Sequence, residues 1–196
     1  MISHRPLFLL TAGMLAFYLL IILALFVSDI LYVDLHTFLN TLRSKEIQFA
    51  IKLSCISSFT TALLSMCVAI PAGYALSRYR FPGMMLVDTL VDVPIVLPPL
   101  IMGVSLLVFF RTPVGRAIEG SGLHFVYTMQ GVILAQFVVA CSFAIRTIKA
   151  AFDGVDRRLE DVAMTLGCSR LMAFIKVTLP LAKNGIIAGG LFAWAR

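Results

Sequence analysis

The chain has 196 residues, of which 60% are hydrophobic and only 13% charged, with a formal net charge of +6 and a mean hydropathy of +0.99. That composition excludes a soluble domain of this length and points to an integral membrane protein built from helices, because backbone polar groups inside lipid must be satisfied within the spanning segment. The positive charge does not point to nucleic acid, because its distribution follows membrane sidedness.

Residues 7–27 carry no charge and are long enough to cross a bilayer, which takes about 20 helical residues. His4 and Arg5 precede them, as in a secretory leader, but the apolar run exceeds a leader core and no Ala-x-Ala follows, so it is expected to remain as span one. In the connection that follows, Leu35, Phe38, Leu39 and Leu42 have helical spacing and read as an amphipathic connector. Span two is expected over residues 53–77. Its hydroxyl groups, Ser57, Ser58 and Thr61 among them, either satisfy one another in helix packing or line a wet path.

Span three is expected over residues 84–110. Pro94, Pro98 and Pro99 remove backbone donors within it, so this stretch either borders a translocation path or kinks to fit neighbouring helices. Asp88 and Asp92 near its start read as interfacial anchors or partners of Arg78 or Arg80, rather than as a proton relay. Span four is expected over 128–148, followed by a polar stretch over 149–183 and an apolar run at 185–196. With the N-terminus inside, Arg5, Arg78, Arg80, Arg146, Lys149, Arg157, Arg158, Arg170, Lys176 and Lys183 lie inward, against Arg43, Lys45, Lys52, Arg111 and Arg116 outward. This asymmetry turns the 149–183 stretch toward the cytoplasm.

Within that stretch Leu159, Val162, Ala163 and Leu166 fall on one face of a short helix while Glu160 and Asp161 are expected to stay solvated. Gly167 permits a tight reversal, Ser169 caps a second helix carrying Leu171, Phe174 and Ile175 on one face, and Pro180 is expected to stop it. Cys55, Cys67, Cys141 and Cys168, like His4, His36 and His124, show no metal-ligand spacing, so no metal or other cofactor is expected. No phosphate-binding Gly-x-x-x-x-Gly-Lys-Ser/Thr loop is present and no nucleophile, base and orienting group can be assembled, so the chain does not read as an enzyme. No internal repeat is visible, and the chain reads as one domain, 1–196.

The inner stretch resembles the signature of ABC importer permeases, Glu-Ala-Ala-x3-Gly-x9-Ile-x-Leu-Pro. It stands here as Asp161-Val162-Ala163-x3-Gly167-x9-Val177-x-Leu179-Pro180, with spacing kept and charge or apolarity preserved at each change. Arg78-Tyr-Arg-Phe-Pro-Gly83, Asp92-Val-Pro-Ile-Val-Leu-Pro-Pro99, Gly103 and Thr112-Pro-Val-Gly115 are similar to the molybdate/tungstate branch, with sulfate and thiosulfate permeases as near relatives. The resemblance implies an all-α, polytopic MetI-like permease fold. It implies a loop, including Leu159, Glu160, Leu166, Gly167 and Val177, that docks on separate ABC ATPase subunits. It also implies a second permease copy and an extracytoplasmic solute-binding protein as partners, in a prokaryotic inner membrane. The expected function is import of an inorganic oxyanion, molybdate or tungstate, with sulfate or thiosulfate as the alternative. A channel or ion-coupled carrier would call for paired intramembrane charges or inverted repeats. Permeases of this branch resemble six-span chains, whereas the 12 residues 185–196 reach only about 18 Å as a helix. The expectation is therefore a chain truncated within its fifth span, with a nonfunctional remnant as a further alternative.

Overall fold

A computed structural model describes residues 5–120, 122 and 124–195; His4, and the last residue of the 185–196 run, lie outside the described residues. Among the described residues every regular element is a helix, and the chain divides into two compact units, Met1–Ile51 and Lys52–Arg196.

In the first unit, α1 (Arg5–Tyr32) is apolar on every face and buries none of its most apolar window, as a lipid-facing helix does. Helix α2 (Leu35–Arg43) begins at Asp34, whose carboxylate accepts from the backbone N–H and hydroxyl of Thr37 at 3.2 and 2.8 Å. Those hydrogen bonds hold the Asp34 carboxyl below its ordinary pKa.

The second unit is organised around residues 52–78 of α3 (Lys45–Arg78) and around α7 (Met129–Asp153), two helices long and apolar enough to cross a membrane. The buried face of α3 repeats every four residues: Ser57, Thr61, Ser65, Ala69, Gly73 and Ser77. Small side chains let backbones approach closely. At Gly73 an added Cβ would sit 3.0 Å from the Ile148 side chain and 3.1 Å from the Lys149 nitrogen of α7. On the other side of α7, α11 (Lys183–Ala195) packs by the same device. Gly189 leaves room for Ile148, where a Cβ would come within 2.9 Å, and a Cβ at Gly185 would collide with Ala151. Ile148 is thus fully buried between two glycines, one on each neighbouring helix.

The third expected span is not one rod. It forms α4 (Met84–Val96) and α5 (Pro99–Arg111), bent by 111°. Leu97 and Pro98 each precede a proline, which disfavours helical ψ, and both are extended, with ψ of 135° and 140°. Helix α6 (Pro113–Gly120) follows, and α7 then runs to Asp153, beyond the expected limit at residue 148. The surface platform therefore starts only after Gly154. It comprises α8 (Arg157–Thr165), α9 (Arg170–Ala173), a π turn (Phe174–Thr178) and α10 (Leu179–Leu181). Pro180 does not stop the helix. It lacks an N–H and crowds the carbonyl four residues back, and the chain accommodates it through the π turn, with Leu179 N–H bonding to the Phe174 carbonyl. The axis then turns by 75° into α11.

Candidate functional site

The platform is shaped by local sequence before any packing. Asp156 caps α8 by accepting from the Arg158 N–H at 3.0 Å. At the other end Gly167 N–H bonds to the Met164 carbonyl and Cys168 N–H to the Ala163 carbonyl, the paired bonds of a Schellman motif, with Gly167 at φ +90°. No atom would meet a Cβ at Gly167, so the requirement there is conformational and not spatial. Ser169 then accepts from the Met172 N–H at 3.3 Å and starts α9.

The expectation that Glu160 stays solvated is corrected: it is 8% exposed. Its carboxylate accepts from Arg78 Nε at 2.7 Å, Thr178 Oγ1 at 2.7 Å and Tyr74 Oη at 2.9 Å. One side chain of α8 thereby fastens the end of α3 and the π turn together. Arg78 continues the network to the Val155 carbonyl at 3.0 Å, Ser77 donates to Asp153 at 2.6 Å, and Arg157 donates to the Ser77 carbonyl. Tyr74 also packs on Phe174 and Phe152, at centroid separations of 4.6 and 5.7 Å. Phe174 therefore turns inward while Leu171 and Ile175, expected on its face, are exposed.

Burial pushes the Glu160 carboxyl up, but the hydrogen bonds from Thr178, Arg78 and Tyr74 outweigh it and hold the group below its ordinary value. A depressed carboxyl stabilises the fold above its unfolded pKa, and that contribution is lost as pH falls through the folded value. The Tm gap between the protein and its Glu160→Gln variant, measured in detergent, should be present at neutral pH and close below the ordinary carboxylate range. A gap that stays constant over that range would show that the ionised form is not what holds the platform.

With Glu160 and Ala163 turned inward, Leu159, Val162 and Leu166 form the outward ridge of α8, at 46%, 56% and 81% exposure, beside exposed Asp161. Val177 and Leu179 are half-buried behind the ridge, and Pro180 is exposed. The coupling residues named from sequence thus separate into an exposed ridge and an anchoring side.

The residues read as either path lining or helix packing differ in their settings as well. Ser57 and Thr61 are buried; Thr61 donates to Gln136 of α7 at 3.1 Å, and Ser57 to the Ser54 carbonyl of its own helix at 3.2 Å. Ser58 is half-buried and donates to the Cys55 carbonyl, Pro94 lies half-buried inside α4, and Pro98 and Pro99 sit exposed at the bend. Asp88 and Asp92 pair with neither Arg78 nor Arg80. Arg146 of α7 bonds to Asp92 and, at 3.1 Å, to Asp88, which Lys149 also reaches at 3.1 Å. Sequence reasoning missed this cluster. The i, i+4 spacing of the two carboxylates beside an Arg146/Lys149 pair on one face of span four was the available signal.

The family described as "Binding-protein-dependent transport system inner membrane component" matches residues 65–196. The chain is 36% identical over 163 residues to the "Molybdate/tungstate transport system permease protein WtpB" of Thermococcus kodakarensis, covering 83% of this chain and 62% of that one. It is 38% identical over 150 residues to the "Molybdenum transport system permease protein ModB" of Escherichia coli K12, covering 75% and 66%. The chain therefore spans less than two-thirds of the length of either relative. Its fold matches that of a bacterial ABC transporter that imports the acidic polysaccharide alginate, with TM-score 0.72 and 18% identity over 95% of this chain and 72% of that one. Long apolar helices, a proline-broken third segment and a capped surface platform accord with these likenesses, and the chain belongs to the family of binding-protein-dependent transport system inner membrane components.

Proposed function

We propose that the chain is the membrane-spanning subunit of an ATP-driven importer of an inorganic oxyanion, molybdate or tungstate. The observation that carries the reading is the exposed Leu159/Val162/Leu166 ridge on a helix whose opposite side is fastened to α3 through Glu160. Such a ridge suits docking into an apolar groove on a separate ATPase subunit, and the anchor makes displacement of the platform displacement of the transmembrane helix. A pair of these chains would enclose the pore, with two ATPases on the platform side and a solute-binding protein opposite. ATP-driven closure of the ATPases would move the platforms together and switch access between sides by rigid-body motion. The names of the relatives support the substrate, and the basic asymmetry supports an N-terminus inside.

The reading is tested by reconstituting the protein with the ATPase and binding protein of its own system and measuring uptake of molybdate, tungstate and sulfate. ATP-dependent molybdate or tungstate uptake that excess sulfate does not suppress is expected. Sulfate uptake of equal efficiency would overturn the substrate, and uptake without the ATPase would overturn the coupling. A membrane-impermeant thiol reagent should reach Cys168, the platform cysteine, only after lysis.

A further inference from the structure

Two neighbouring cavities lie beside the platform, and their walls differ in chemistry. The first, of about 290 Å³, is lined by Arg78, Arg80, Arg157 and Arg170 against only two carboxylates, Glu160 and Asp161. Glu160 is already neutralised by Arg78, and Arg157 donates to the Ser77 carbonyl. Arg80 and Arg170 are exposed, and among the described residues no carboxylate lies within ion-pairing distance of either. Arg170 is held with its guanidinium 5.9 Å from the centre of the Tyr79 ring. The second cavity, of about 400 Å³, has apolar walls from Pro71, Ala75, Leu171 and Phe174. Tyr74, Tyr79 and Arg170 border both spaces, so the basic cavity and the apolar one lie side by side.

We propose that the two cavities together hold one anionic phospholipid, its headgroup phosphate between Arg80 and Arg170 and the start of an acyl chain along Pro71, Ala75 and Leu171. A soluble anion would satisfy the guanidiniums and leave the apolar wall wet. A neutral lipid would cover the wall and leave two cations uncompensated. Only an amphiphile with a negative head answers both. The place in the fold agrees: Tyr79 and Phe81 are 44% and 41% exposed at the end of a membrane-length helix, as aromatic residues at the headgroup level are. Arginine suits phosphate because its planar fork offers two parallel N–H donors, and basic pockets beside transmembrane helices hold anionic headgroups. The lipid would brace α9 of the platform against the end of α3. The site does not depend on the transport reading; the leaflet it faces follows from the orientation proposed above.

The test is native mass spectrometry of the purified protein titrated with dioleoyl phosphatidylglycerol, dioleoyl phosphatidylcholine or inorganic phosphate. Tighter binding of phosphatidylglycerol than of phosphatidylcholine is expected. The double variant Arg80→Gln/Arg170→Gln should weaken phosphatidylglycerol binding about 30-fold, roughly 5-fold per cation, while Arg80→Lys/Arg170→Lys keeps part of it. Equal binding of the two lipids by the unaltered protein would overturn the site, as would unchanged phosphatidylglycerol affinity in the Gln variant. Displacement of phosphatidylglycerol by equimolar inorganic phosphate would make it a soluble-anion site and overturn the lipid assignment. The lipid comparison and the phosphate competition need no variant, so a misfolded double variant would leave the decision intact.

Discussion

Arg78→Met should lower the Tm of the detergent-solubilised protein by roughly 10 °C and release the platform from the end of α3. The pair is buried, with side-chain exposures of 7% for Arg78 and 10% for Glu160. Removing one member leaves the other charge in a low-dielectric setting with no counter-charge, a loss on the order of 3–5 kcal/mol. Thr178 and Tyr74 would still donate to Glu160, but neutral donors compensate a carboxylate less well than a guanidinium. Arg78→Met/Glu160→Gln should recover much of the loss, because the amide carries no charge to compensate, its oxygen still accepts from Thr178, and its NH2 can donate to the Tyr74 hydroxyl, which rotates to accept. Additive losses in the double variant would mean that the two side chains act separately, and a Tm near that of the unaltered protein in Arg78→Met would remove the anchor from the description.

The second large effect should fall on association and leave stability alone. Leu166→Asp should weaken binding of the ATPase subunit by about 30-fold or more, the scale of an interface hot spot, with no change in Tm. Leu166 is 81% exposed, so the substitution removes nothing from the core of the chain; Val162→Asp at 56% exposure should act in the same direction. Titration of the detergent-solubilised subunit with the purified ATPase measures both. The Arg78 and Leu166 variants thus separate two roles of one short helix: one should lose the fold of the platform, the other only its partner. Normal ATPase binding by Leu166→Asp would place the docking surface elsewhere.

What the sequence made legible was periodic or local. The spacing of Leu159, Val162, Ala163 and Leu166 located α8, Gly167 located the reversal, Ser169 located a cap, and unbroken apolar runs located α1, α3 and α7. Periodicity defines a face, but it does not say what covers that face. Glu160 looked solvated because a carboxylate next to Asp161 has no visible partner nearby; its partners Arg78 and Tyr74 stand 82 and 86 positions earlier. Arg146 likewise reaches Asp88 across 58 positions. The prolines of the third segment signalled irregularity, yet a kink and a bend of 111° share that signal, and the outcome depended on two consecutive pre-proline residues. Ala163, which is buried, shares its stripe with the exposed ridge, so the amphipathic pattern of α8 told of a contact on each side without assigning either.

The seating of Ile148 between Gly73 and Gly189 has a mechanical consequence. A side chain gripped from both sides by backbone resists axial sliding, since a shift along the helix would drive its methyl groups into a neighbouring main chain. Helices α3, α7 and α11 therefore behave under load as a single strut, with the platform as its footing. Compliance would then fall to the corners, at Leu97–Pro98 and at Ala182, where the main-chain direction changes by 111° and 75°. A push on the footing would be delivered nearly undiminished along the strut and turned into rotation at those corners.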